Sequence, residues 1–105
     1  MDANDPEFMA TFNRMYEKTW GSDAIPDAIP EKYKQLTGIA LSISIRCDAC
    51  LTYHIKMALK QKATKEEIVE SFRIGLLSAG SGTIPTIRKG YATLKDLGID
   101  VTGAK

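Results

Sequence analysis

A chain of 105 residues, 44% of them apolar, is long enough for one domain and too short for two. Its 14 basic and 13 acidic side chains leave a net charge of +1, with no electrostatic footprint for nucleic acid or an anionic membrane. No apolar run approaches the roughly 20 residues of a bilayer span, and the acidic start MDANDPEF lacks a secretory core, so a cytoplasmic protein is expected.

A first helix is predicted from Pro6 to Trp20. Asp5 suits its cap and Pro6 its first turn, and Phe8, Phe12, Met15, Tyr16 and Trp20 recur at helical spacing as a stripe read as core. Two copies of Asp-Ala-Ile-Pro, residues 23–26 and 27–30, are too short for a repeat architecture and read as an extended linker. A second helix starts near Pro30 and turns Leu36, Ile39, Ala40 and Ile43 inward. Its end, Leu41-Ser-Ile-Ser-Ile45, alternates like a strand, but no partner strand follows, so it is read as helix running into a break.

The third helix is expected over about Cys47 to Gln61, with Leu51, Ile55, Ala58 and Leu59 apolar. Thr64 and Glu67 form a capping-box signature for a fourth, which carries Ile68, Val69, Phe72, Leu76 and Ala79. Ala79-Gly-Ser-Gly-Thr83 breaks it. The Gly80-Ser-Gly82 step follows a helix and lacks the Lys-Ser/Thr of a phosphate loop, so it reads as a tight turn. A fifth helix runs from about Ile84 to Leu97 and stops at Gly98. Lys56, Lys60, Lys62 and Lys65 are taken as a solvated face. The fold class is all-α.

Chemistry concentrates in Arg46-Cys-Asp-Ala-Cys-Leu-Thr-Tyr-His54. Both cysteines of the chain and its one histidine lie within the eight residues 47–54. On a helix Cys50 and His54 are one turn apart on one face, and Cys47 lies one turn earlier. A Cys-x-x-Cys pair there closes into a disulfide with little backbone movement. In a reducing compartment this spacing favours catalysis or metal binding over a structural staple. The unpaired amides of a helix start and a nearby imidazole both favour thiolate. The preferred reading is a dithiol redox centre with Cys50 as the His-paired nucleophile and Cys47 as its partner. Three other readings stay open. Zinc needs four ligands, or three plus water, and the chain offers three, so a metal would have to be shared between subunits; none is expected. The cysteines are otherwise small core residues, or His54 is an acid/base for non-redox chemistry.

Cys47-Asp-Ala-Cys50-Leu-Thr-Tyr-His54 resembles the Cys-x-x-Cys-x-x-x-His core of the alkylhydroperoxidase AhpD and carboxymuconolactone decarboxylase superfamily. The flanks agree: Pro30-Glu-Lys-Tyr-Lys-Gln-Leu36 resembles the helix before that core, Ala63–Glu70 the following helix start, and Gly80–Pro85 its small-residue turn. The resemblance implies one AhpD-like domain over residues 1–105, of about five to six helices, with residues 1–29 as N-terminal helix and linker and 30–98 as the core. It implies homotrimers or homohexamers and a thiol-dependent peroxidase or disulfide reductase. Cys50 matches the cysteine that becomes sulfenic acid, Cys47 the resolving and proton-donating cysteine and His54 the proton-relay histidine, with no cofactor.

The expected partners are a hydroperoxide or disulfide substrate and a thiol reductant or redox protein. The decarboxylase branch generally lacks the cysteine pair. One departure is Gln35, where redox members usually carry a relay glutamate; an amide cannot carry the proton. Glu31, one turn earlier, is the alternative carboxylate. The remaining functional readings are a non-enzymatic oligomeric redox sensor or binding module, and a cofactor-free lyase using His54.

Overall fold

Asp5 closes the start of the first helix: its Oδ1 accepts from the amide of Phe8 at 3.0 Å. The computed structural model describes residues 5–20 and 28–102. Its elements are α1 (Pro6–Trp20), α2 (Glu31–Ile45), α3 (Asp48–Lys60), α4 (Lys65–Ala79), a 3-10 turn at Ser81–Thr83, and α5 (Ile84–Asp96). The protein is therefore all-α, and the alternating stretch Leu41–Ile45 is helical. The predicted linker falls largely on residues 21–27, outside the described residues.

The chain divides into two compact units, Met1–Glu31 and Lys32–Lys105. In the first, α1 has the predicted boundaries, but its stripe is not core: no residue of α1 is buried, and Phe8 and Met15 are 53% and 62% exposed. Helical spacing identified a common face, and a common face is not the same thing as burial. That face carries a ladder of rings, Phe12, Tyr16 and Trp20, with centroids 6.3 and 6.1 Å apart.

The second unit holds the core. Ile39 and Ile43 of α2, Leu51, Ile55 and Ala58 of α3, Ile68, Val69 and Phe72 of α4 and Leu94 of α5 are all buried. Each large side chain among them contributes roughly 1.5–3 kcal/mol on leaving water. Glycines let the helices approach: a Cβ on Gly75 would lie 2.6 Å from Ile43, and one on Gly90 2.7 Å from the Phe72 ring. Tyr91 meets that ring edge-on at 5.2 Å.

Helix ends follow local chemistry. Thr64 and Glu67 form the predicted capping box, with Thr64 Oγ1 accepting from the Glu67 amide at 3.1 Å and Glu67 Oε1 from the Thr64 amide at 2.8 Å. Lys32 pairs with the same carboxylate at 3.1 Å. Three helices end in the paired 6→1 and 5→2 bonds of a Schellman motif. After α5 the left-handed residue is Gly98 (φ 79°), with Ile99 N–H bonding Leu94 C=O and Gly98 N–H bonding Lys95 C=O. After α3 it is Lys62 (φ 65°), and after α2 it is Arg46 (φ 58°). Two of the three turns thus hold a long side chain in a conformation that costs about 1–2 kcal/mol outside glycine.

Candidate functional site

The turn that ends α2 also begins α3. Arg46 N–H bonds Ile43 C=O at 3.1 Å and Cys47 N–H bonds Ser42 C=O at 3.0 Å, so the chain leaves one helix with Cys47 already placed to start the next. Cys47 is the N-cap of α3, with extended backbone (φ −101°, ψ 99°), and its Sγ accepts from the amide of Cys50 at 3.2 Å. Cysteine here takes the position usually given to serine or aspartate. It is therefore the cap of the helix rather than a residue inside its first turn.

Cys47 and Cys50 are joined by a disulfide, with Cα atoms 5.3 Å apart. Both are half-buried. A hydrogen-bonded sulfur at a helix start also faces the positive end of the macrodipole, which favours thiolate once the bond is reduced. His54 follows Cys50 by one turn of α3, half-buried, with the Tyr53 ring edge-on to it at 5.2 Å.

The imidazole is held from α2. His54 Nδ1–H donates to Gln35 Oε1 at 2.7 Å, and Gln35 is only 1% exposed. One turn on, Gly38 presents bare backbone to the ring: a Cβ there would lie 2.7 Å from Nδ1 and 2.8 Å from Cγ and Cε1. Burial pushes the His54 pKa below the ordinary 6.5. A neutral amide, unlike a carboxylate, adds no charge to oppose that fall.

Two pairs therefore stand at the α2–α3 corner: the Cys47–Cys50 disulfide at the start of α3, and, one turn further along that helix, His54 bonded to Gln35 of α2. Glu31 is the first residue of α2, one turn before Gln35, and half-buried. The Nδ1 partner is the amide of Gln35. Among the described residues no group of three His, Cys, Asp or Glu side chains is placed to hold a metal ion. Two contributors were not singled out from the sequence. Gly38 is one: the only signal was a small residue three positions after Gln35 on one helix face. Arg46 is the other. Its side chain lies against Gly82, where a Cβ would come within 2.6 Å of Nη2, tying the turn before α3 to the turn before α5.

Comparison with known proteins finds similar sequences and a similar helical fold. An uncharacterised protein of Cupriavidus necator is 28% identical over 75 residues, which are 71% of this chain and 63% of the relative. The chain therefore matches less than two-thirds of that relative's length. A crystal structure from Thermotoga maritima superposes with a TM-score of 0.73 at 30% identity, covering 92% of each chain. It is described as a carboxymuconolactone decarboxylase family protein, with involvement in the antioxidative response offered as a possibility. A second Thermotoga maritima structure gives a TM-score of 0.72 at 30% identity, over 91% of this chain and 77% of that one. The family model itself matches residues 6–89. With that span, and with the same helical fold, the chain belongs to the carboxymuconolactone decarboxylase family.

Proposed function

We propose that the protein is a thiol-dependent oxidoreductase that cycles Cys47 and Cys50 between dithiol and disulfide, reducing a hydroperoxide or a partner's disulfide. The observation that carries this reading is the Cys47–Cys50 bond at the start of the helix that bears His54 one turn later. The possible antioxidative role given for the Thermotoga relative supports the same class of chemistry.

In the oxidative half, the Cys50 thiol gives its proton to His54 and the thiolate attacks the outer oxygen of the hydroperoxide. The O–O bond breaks, Cys50 becomes a sulfenic acid, and the alkoxide leaves as an alcohol with the proton returned by His54. The Cys47 thiol then attacks the Cys50 sulfur, forming the disulfide and releasing water. In the reductive half, a thiolate of an external dithiol attacks Cys50 Sγ, and Cys47 Sγ leaves as the thiolate that the Cys50 amide holds. The reductant's second thiol then frees Cys50 and carries away the two electrons' worth of oxidation.

Homotrimers or homohexamers are part of this reading. Leu41 and Ile45 of α2 and Ile74 and Leu77 of α4, 58%, 69%, 52% and 86% exposed, leave apolar side chains that assembly would cover. The reductant is a small dithiol or a redox protein, and the compartment is the cytoplasm.

The test is consumption of a hydroperoxide with excess dithiol. Sustained turnover that ceases in both Cys47→Ser and Cys50→Ser is expected. A single stoichiometric burst identifies a redox sensor instead, and an activity on other substrates that survives Cys50→Ser identifies a lyase using His54.

A further inference from the structure

The amide of Gln35 and the bare backbone of Gly38 act on one ring, and they act from the same face of α2. We propose that Gln35 and Gly38 are positioning residues that together clamp His54 as the neutral tautomer protonated on Nδ1, so that Nε2 is its basic nitrogen. Gly38 supplies a seat without a Cβ, and Gln35 supplies the acceptor.

Three observations carry this. The Nδ1···Oε1 distance of 2.7 Å is that of a good hydrogen bond, and the accepting side chain is buried. The seat is specific to glycine, because a methyl group on residue 38 would fall 2.7–2.8 Å from three atoms of the ring. Gln35 and Gly38 both stand on α2, so moving the ring off Gly38 stretches its bond to Gln35. Glycine inside a helix otherwise costs about 1 kcal/mol relative to alanine, so its presence at a buried mid-helix site calls for such a neighbour. Ser42 Oγ donates to the Gly38 carbonyl at 2.6 Å and its own carbonyl accepts from Cys47, so the seat and the N-cap cysteine share one stretch of α2.

The chemical consequence follows from imidazole itself. With a proton fixed on Nδ1, only Nε2 can take another, and the base that serves the cysteine pair has one orientation. A carboxylate at position 35 would accept the same hydrogen bond but also stabilise the imidazolium; the amide fixes the tautomer without doing so. This inference rests on His54 as the proton carrier of the redox pair, yet its test does not need turnover.

His54 is the one histidine of the chain, so its ring nitrogens give unambiguous signals in a tag-free protein labelled with nitrogen-15. Above the ring's pKa the wild type is expected to show protonated Nδ1 and unprotonated Nε2. Gln35→Leu is expected to lose that bias, and Gln35→Asn, with a shorter reach, to lose part of it. Gly38→Ala is expected to lower the melting temperature in the wild-type background and to leave it unchanged or raise it when combined with His54→Ala, where the helix gains alanine and nothing is displaced. A wild-type ring protonated on Nε2 overturns the proposal. So does the same shift for Gly38→Ala in both backgrounds. If Gly38→Ala does not fold, the wild-type and Gln35→Leu spectra decide the matter alone.

Discussion

The sulfur that accepts the amide of Cys50 is Cys47, at 3.2 Å, whereas the sulfur one turn from His54 is Cys50. The two sulfurs are therefore held differently: Cys47 caps α3 and accepts an amide, and in the proposed cycle it is Cys50 that the ring of His54 serves. A thiolate stabilised by a fixed donor is the better leaving group. An incoming thiolate should attack Cys50 and expel Cys47. The Cys47→Ser variant is expected to trap a stable mixed disulfide on Cys50 with an aromatic disulfide reagent, detected by mass spectrometry. Equal trapping on Cys47 in the Cys50→Ser variant would remove this division of labour.

Gln35→Glu places a carboxylate 2.7 Å from the His54 Nδ1–H in a site that is 1% exposed. The negative charge should raise the ring's pKa and give the relay a proton-carrying partner. Peroxide turnover is expected to rise by up to about a hundredfold, the lower end of general acid–base effects. Its cost is a buried charge, so a lower melting temperature should accompany the gain. Turnover that stays level or falls would show that the amide is not what limits the relay.

Stability should depend on pH through the same ring. Burial lowers the folded-state pKa of His54 below 6.5, so between that value and the folded one the unfolded chain binds more protons than the folded chain. The folded state then loses stability as pH falls below about 6.5, and the loss levels off once the folded ring also protonates. Denaturant unfolding at successive pH values checks this, and His54→Gln should flatten the slope. Glu67 and Asp100, whose pKa values are lowered chiefly by the Thr64 and Thr102 backbone amides, add a further loss only at more acid pH.

Lys62 holds a left-handed conformation (φ 65°) in the Schellman turn after α3. Glycine adopts that region without steric cost, offset in part by its freer unfolded chain. Lys62→Gly is expected to stabilise the protein by about 1 kcal/mol in chemical denaturation. The complementary change, Gly98→Ala at φ 79°, should destabilise it by a similar amount.

Much of this fold was legible because its signals are local. The Thr64–Glu67 box, the Gly98 stop and the Ile39, Ile43, Leu51 and Ile55 spacing each act within a few residues, and each appears where the sequence placed it. The stripe on α1 was misread because periodicity reports a shared face and says nothing about a packing partner. The turns at Arg46 and Lys62 were illegible for the opposite reason, since neither residue favours φ above zero and the surrounding helices impose it. In the candidate site, Cys47, Cys50 and His54 could be assembled on paper from helical spacing alone. The bond from His54 to Gln35 spans 19 positions and two helices, and the contact with Gly38 needs the α2–α3 packing that no local pattern encodes.

The most direct test of the redox account is the pH dependence of thiolate absorbance in the reduced protein, using Cys47→Ser to isolate Cys50. The account predicts that Cys50 ionises well below the ordinary thiol value of about 8.5 and returns toward it when His54 is replaced by leucine. A Cys50 thiol that titrates like free cysteine, with or without the ring, would contradict it.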